Sequence, residues 1–329
     1  MNLFDRSLPA LTRCSPVSFR RQRGMAASCL ALLFVCLLAL NGCGAPASGS
    51  SAASVGKVLN VVATVNFWGS IAQQLGGVHV AVTSIVTSPT GDPHEYEPTT
   101  SDARAIATAD YVVENGAGYD GWADKLMSAN PFPGRKVLTA AQVVDENIPG
   151  YNPHIWYNPA YVEKISRAIT ADYQALDPAD AGYFTRQHAA FEQAVQPYRQ
   201  TIAAIKAKYA GVPVGASESI CIFLARATGL DLITPLAYMK AENDGTDPPA
   251  ASVAEFNQQI VQHQIKVFLL NVQTISNATR SLQASLAQSG IPVIEISETI
   301  RPVNATFEQW QLSQLQALQK ALAPAVPNT

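Results

Sequence analysis

The sequence predicts an α/β protein of two lobes, each with a mainly parallel sheet flanked by helices, joined by a long rigid backbone helix. Three observations carry that prediction. Apolar strand-like runs alternate with helical periods over residues 58–116. The same alternation resumes over residues 213–297. Between them lies a nearly continuous helical pattern. The lobes are set at residues 58–176 and 210–329, with the linking helix at 177–209.

Residues 58–65, VLNVVATV, read as a buried strand. NFWGSIAQQLGG follows as a helix stopped by Gly76 and Gly77. Residues 78–87 are the next strand. SDARAIATAD is a helix with Ser101 as its N-cap and Asp102 in its first turn. YVVENG closes a β-α-β-α-β run, which implies parallel strands with crossover helices. Residues 160–176 have apolar positions at helical spacing. Residues 177–211 read as one long helix, with Asp177 at its cap, Pro178 in its first turn and Gly211 at its end. Roughly 30 helical residues span about 45 Å, the length of a spine between lobes. Pro197 should kink it. Then PVGAS, DLITPLAY, IKVFLLNVQ and IPVIEIS read as strands separated by helices. The last helix carries Leu312, Leu315, Leu318 and Leu322 on one stripe.

The start of the chain reads as an address. Arg20, Arg21 and Arg23 precede the apolar run MAASCLALLFVCLLAL, and LNGC follows. That pattern is a lipoprotein signal peptide over residues 1–42, with Cys43 lipidated as the first mature residue. Residues 43–57 are small and polar, a flexible tether. Four of the five cysteines belong to this segment, which leaves Cys221 alone in the body and rules out a disulfide there. The whole chain carries a net charge of −3. The leader has five Arg against one Asp, so the remainder is more acidic still. That disfavours nucleic acid as a partner and is compatible with a cationic ligand.

Ligands of open α/β sheets bind beyond the carboxyl ends of the strands. Four polar residues fall there. His94 stands in GDPHEYEP, His154 in NPHIW, Glu218 after PVGAS and Glu298 after IPVIEIS. Two imidazoles from the first lobe and two carboxylates from the second would make an N/O metal site. Pro93 and Pro153 stiffen the two His loops. Each residue also has a plain reading: loop histidines are commonly solvated, and an acid near a helix start acts as a cap. His79, His188 and His263 read as structural or surface residues.

The stretches GDPHEYEPT, NPHIWYNP, GASESICIF, AENDGTDPP, LLNVQTIS and IPVIEISETIRP, in that order, extend the pattern. Together they resemble the metal-binding lipoproteins of zinc/manganese ABC importers, the ZnuA/TroA-like (cluster A-I) solute-binding family. The resemblance spans residues 58–325. It implies His94, His154, Glu218 and Glu298 as ligands of one transported divalent ion, Mn2+ or Zn2+ with Fe2+ as a third choice. It implies an ABC permease and its ATPase as partners, a monomer anchored outside the cytoplasm by lipid at Cys43, and no catalysis. Many zinc-type members have His where Glu218 stands, the last ligand is often Asp rather than Glu298, and the second motif often begins with Asp rather than Asn152. No His-rich loop lies between the first two ligands. These departures bear on which metal is carried.

Other functional classes make different demands on the sequence. A zinc hydrolase would need an open water position, and H-E-x-x-H is absent. A scavenging or adhesin lipoprotein without a permease would use the same residues. An organic-solute binder would use Trp68, Trp122, Trp156 and Trp310 to line a cleft, but their spacing fits core packing. A stiff spine predicts capture by a small shift and loop ordering. Neutral imidazoles are required, so binding should weaken below about pH 6.

Overall fold

A computed structural model describes residues 57–148 and 152–325. The leader, Cys43 and most of the tether lie outside the described residues. In chain order the elements of the first lobe are β1 (Leu59–Val65), α1 (Asn66–Gly76), β2 (Val80–Val86), α2 (Thr100–Ala107), β3 (Tyr111–Glu114), α3 (Gly121–Ala129), β4 (Lys136–Thr139), α4 (Ala140–Val143) and α5 (Pro159–Leu176). Next come α6 (Ala181–Ala194) and α7 (Gln196–Tyr209). The second lobe holds β5 (Pro213–Ala216), α8 (Ile222–Thr228), β6 (Asp231–Leu232), α9 (Leu236–Asn243), α10 (Ala250–Val261), β7 (Val267–Asn271), α11 (Asn277–Ser289), β8 (Val293–Ile296) and α12 (Phe307–Leu322).

Both sheets are four-stranded and wholly parallel. Their orders are β2-β1-β3-β4 and β6-β5-β7-β8, so the two lobes share one topology. Each reverses direction of winding at its first strand. The crevice at that point, beyond the carboxyl ends, is where such sheets bind ligands. β7 illustrates why the second sheet is covered on both faces. Val267 and Leu269 join the main core, while Phe268 and Leu270 join a smaller one with Tyr238, Phe256, Ile260 and Leu286.

Three local readings differ from the sequence expectation. The long helix is a 3-10 turn at Pro178–Asp180 followed by two helices that break at Val195. Pro197 lacks the N–H that would reach back to residue 193, so the ladder fails there. α6 packs on α1 and α5, whereas α7 packs on α12 and α8, so each half belongs to one side of the junction. DLITPLAY yields only the two-residue β6, because Pro235 precedes and starts α9. The cap of α2 is Thr99, two residues before Ser101. Its N–H donates to Asp102 Oδ2 at 2.6 Å, and Asp102 N donates to its Oγ1 at 3.4 Å, a capping box. Residues 121–143, unassigned from sequence, supply α3, β4 and α4. In α12 the buried stripe runs through Phe307, Trp310, Leu315, Leu318 and Leu322, and Leu312 falls half-buried beside it.

The two lobes meet through packed aromatics. Phe67 of α1 stacks on Trp156 at 4.1 Å between centroids and lies 6.4 Å from Trp310 of α12. Tyr157 approaches Trp310 at 6.1 Å. All four side chains are buried, and the main core runs continuously through both lobes. Polar contacts frame it: Ile300 N donates to Asn66 Oδ1 (3.1 Å), Phe307 N to Ser70 Oγ (3.0 Å) and Tyr157 OH to the Ser297 carbonyl (2.8 Å). Trp68, Trp156 and Trp310 are therefore core residues, although Trp310 also reaches the wall of a side cleft with Ser297, Arg301 and Gln314. Among the described residues no helix is long and apolar enough to cross a membrane.

Phe67→Ala should open a cavity at this junction and cost ~3–5 kcal/mol of unfolding free energy, measured by denaturant titration. A loss under about 1 kcal/mol would mean that the aromatic junction does not hold the lobes together.

Candidate metal centre

His94 stands in the loop after β2. The Asp92 carboxylate accepts its backbone N–H at 2.8 Å, and Pro93 opens the 3-10 turn Pro93–Glu95. The ring is a quarter exposed, at 24 % of the side chain. His154 is 0 % exposed and follows Pro153. Asn152 Oδ1 accepts the His154 backbone N–H at 2.9 Å and faces its Nδ1 at 2.7 Å. An amide oxygen only accepts, so Nδ1 carries a proton and Nε2 is the nitrogen turned inward. Asn152 Nδ2 donates across the lobes to the Ser219 carbonyl at 2.7 Å.

Glu218 follows β5 and Glu298 follows β8, both buried. Glu298 Oε2 accepts from Tyr119 OH at 2.8 Å and lies 3.2 Å from His94 Nε2 and 3.7 Å from His154 Nε2. Its Oε1 accepts from Asn271 Nδ2 at 2.7 Å and Thr274 Oγ1 at 3.1 Å. The Asn271 amide also donates to Glu218 Oε1 at 3.1 Å, so one side chain holds both carboxylates. Glu218 Oε2 accepts from Ile220 N at 2.8 Å. Donor atoms of His94, His154 and Glu298 therefore converge within 4.8 Å of one another. Glu218 stands outside that trio, behind Asn271.

Electrostatics ties the group together. Burial presses the His94 imidazolium toward its neutral form. The Glu298 charge and hydrogen bond, helped by Asp92 and Glu218, outweigh it and raise the pKa to about 9. That is well above the ordinary imidazole range on which the sequence expectation of pH 6 rested. Burial would raise the Glu298 carboxyl, but His94 and His154 hold it well below its usual range. Glu218 is raised, by burial first and by the Glu298 charge, against the opposing pull of the two imidazoles. His154 Nε2 is closed off from solvent and has no hydrogen-bond partner. A buried ring nitrogen without a hydrogen bond, facing a carboxylate oxygen, fits a cation between them, and the donor set of imidazole nitrogen and carboxylate oxygen fits a first-row divalent ion.

Several residues that build the site were not singled out from sequence. Tyr119 sits in the turn after β3, where Gly116, Ala117 and Gly118 all have positive φ. Buried Asp120 fixes that turn by accepting from Thr64 Oγ1, Asn115 N and Gly116 N. The rule that found the four candidates, polar residues past strand ends, reaches Tyr119 once the loop after β3 is followed to its end. Gln273 and Thr299 join the ligand-bearing loops. Gln273 Oε1 accepts from the N–H of Glu298 (2.8 Å) and Thr299 (3.0 Å), and its Nε2 donates to the carbonyls of Ser88 and Gly91. Thr299 Oγ1 donates to the Ser88 carbonyl at 2.8 Å. Against this loop lies an open cleft of about 390 Å3 with Asp92, Glu95, Glu242, Asp247 and Arg280 in its wall.

Known proteins resemble this chain in sequence and in fold. The chain is 30% identical over 176 residues to the manganese-binding lipoprotein MntA of Halalkalibacterium halodurans, covering 52% of this chain and 57% of that one. It is 28% identical over 250 residues to the metal ABC transporter substrate-binding lipoprotein FimA of Streptococcus parasanguinis, covering 70% of this chain and 77% of that one. In fold it is similar to the substrate-binding protein FpvC of Pseudomonas aeruginosa, solved with Mn2+, at a TM-score of 0.66 and 23% identity, covering 82% of this chain and all of that one. The family described as zinc-uptake complex component A, periplasmic (ZnuA) matches residues 61–321. With most of its length inside that match, the chain belongs to the ZnuA family.

Proposed function

We propose that this chain is the extracytoplasmic metal-binding component of an ABC importer. It captures one Mn2+ or Zn2+, with Fe2+ as a third ion, and delivers it to a membrane permease driven by an ATPase. The observation that carries the reading is the orphaned Nε2 of His154, buried 3.7 Å from Glu298 Oε2 with His94 Nε2 beside it. The relatives' names, manganese-binding lipoprotein and metal ABC transporter substrate-binding lipoprotein, support it. So does the leader sequence, which would anchor the body by lipid at Cys43 on the outer face of the membrane.

His94, His154 and Glu298 are the primary ligands in this reading, and Glu218 is the fourth. Each Glu218 oxygen accepts one hydrogen bond and keeps a second lone pair, so a small shift toward the trio completes the set. The role is capture and release without chemistry. Metal catalysis needs an open position for water or substrate, whereas these donors come from both lobes and close on a buried point. Because the aromatic junction is continuous, release runs through the His94 loop, the exposed side of the site. Loosening the Gln273 and Thr299 contacts to Ser88 and Gly91 frees that loop.

Protein stripped with a chelator should gain about 4 kcal/mol at 1,000 times the dissociation constant of its ion, seen as a rise in Tm with Mn2+ or Zn2+. His154→Ala and Glu298→Ala should abolish the rise, and His263→Ala should leave it intact. No rise with any transition metal would sink the reading. Asn152→Ala leaves every ligand in place but frees the His154 ring, and should weaken binding about 10–100-fold by calorimetry. An unchanged affinity would detach Asn152 from the site.

The pH dependence has a definite sign. Metal-free His94 stays protonated until about pH 9, and the ion needs its neutral form. One proton leaves per ion bound below that pH. Apparent affinity should therefore fall about tenfold per unit as pH drops through neutrality. An affinity flat from about pH 8 to about pH 7 would remove His94 from the ligand set.

A further inference from the structure

A second group of metal-type donors converges at the opposite end of β2. His79 closes the 3-10 turn Gly77–His79 that feeds the strand and is 8 % exposed. Its Nδ1 lies 3.2 Å from Asp180 Oδ2 and 3.8 Å from Asp177 Oδ2, and the three atoms lie within 4.8 Å of one another. Asp177 caps the C-terminus of α5, and Asp180 immediately precedes α6. His79 Nδ1 and Asp177 Oδ2 are both closed off from solvent, and neither has a hydrogen-bond partner.

Two buried polar atoms 3.8 Å apart, neither making a hydrogen bond although Asp180 approaches the ring at 3.2 Å, call for a partner that satisfies both. A cation accepts a lone pair from each. The local field favours one. Asp177 lies at the C-terminus of α5, whose carbonyls add negative potential, and the last turn of α5 has no basic residue. Among the described residues His79 is the one basic group paired with either acid. The ring is also held in place. Tyr183 and Phe184 pack against it with centroids at 4.4 and 5.7 Å, and Tyr183 OH accepts from Val78 N at 3.2 Å. Asp180 is 28 % exposed at its side chain, which leaves a path for water to complete the coordination.

We propose that His79, Asp177 and Asp180 form a second divalent-cation site. One imidazole nitrogen and two carboxylate oxygens suit Zn2+ or Mn2+ better than Ca2+ or Mg2+, which prefer oxygen alone. The site is separate from the first: β2 alone puts about 23 Å of strand between them. An ion here clips the start of β2 to the α5–α6 junction, so its effect is on stability and not on delivery. It does not depend on the function proposed above.

The test is the number of ions retained by the full chain after equilibrium dialysis against buffered Zn2+, read by atomic emission. The wild type should hold two per chain, and His79→Gln and Asp180→Asn should each hold one. A double variant, His94→Ala with His154→Ala, should also hold one. It should lose that ion when Asp180→Asn is added, and Asp180 is exposed enough for its substitution to be tolerated. A wild type that saturates at one ion, and keeps it in His79→Gln and in Asp180→Asn, overturns the site. So does a His79→Gln chain that still holds two, or a His94/His154 double variant that binds none. A buried water bridging His79 and Asp177 predicts those negative results.

Discussion

The structure is organised around one buried carboxylate. Glu298 is 0 % exposed and carries its charge at the meeting point of both lobes. An ion removed from water costs several kcal/mol unless its neighbours replace the lost hydration. Here the replacement comes from many elements at once. Tyr119 donates from the turn after β3, Asn271 from the end of β7 and Thr274 from the loop beyond it, while two imidazoles approach from the loops before α2 and α5. Gln273 fixes the Glu298 backbone as well. The charge can exist only if both lobes are docked and all these loops are ordered. The aromatic junction of Phe67, Trp156 and Trp310 supplies that docking, because it buries apolar area between the lobes independently of any ion.

In the proposed function, a proton on His94 takes the place of the cation in the metal-free protein. The Glu298 field keeps His94 charged well above neutrality, so the buried carboxylate faces an imidazolium 3.2 Å away. In the proposed function, binding is then an exchange in which the ion displaces a proton and does not enter a bare anionic cavity. That explains how two carboxylates can stand close together without forcing the lobes apart. The Asn271 amide donates one N–H to each and separates them, and the His94 charge offsets what remains.

Much of this was legible in the sequence because it rests on short-range rules. Continuous apolar runs bounded by turn residues gave the strands, and the loops between elements gave His94, His154, Glu218 and Glu298 as candidate ligands. What escaped depends on three-dimensional neighbours. Pro197 was expected to kink a helix, but α6 and α7 take different packing partners, and that choice is made by tertiary contact. Ser101 looked like a cap because it precedes Asp102, yet Thr99 reaches Asp102 with both its N–H and its hydroxyl. His79 looked like a strand residue, and its carboxylate partners lie about a hundred positions away in sequence. Asn271 and Gln273 stand at and just past the end of β7, but an uncharged amide shows its role only when its donors and acceptors are known.

In the proposed function, Gln273 also links capture to release. A single side chain uses its oxygen to hold the Glu298 and Thr299 backbone and its nitrogen to hold the Ser88 and Gly91 carbonyls. The loop that carries His94 and the loop that carries Glu298 are thus ordered by one group. Each of its hydrogen bonds is worth only about 1 kcal/mol net, since water competes for the same partners. The aromatic junction, by contrast, has no such competitor. A partner that engages the exposed His94 loop can therefore break the latch at modest cost and leave the lobes packed. Removing His94 from the ion takes away a ligand and returns a protonatable imidazole to the Glu298 field. The geometry that favours capture at a docked interface thereby also confines release to one loop.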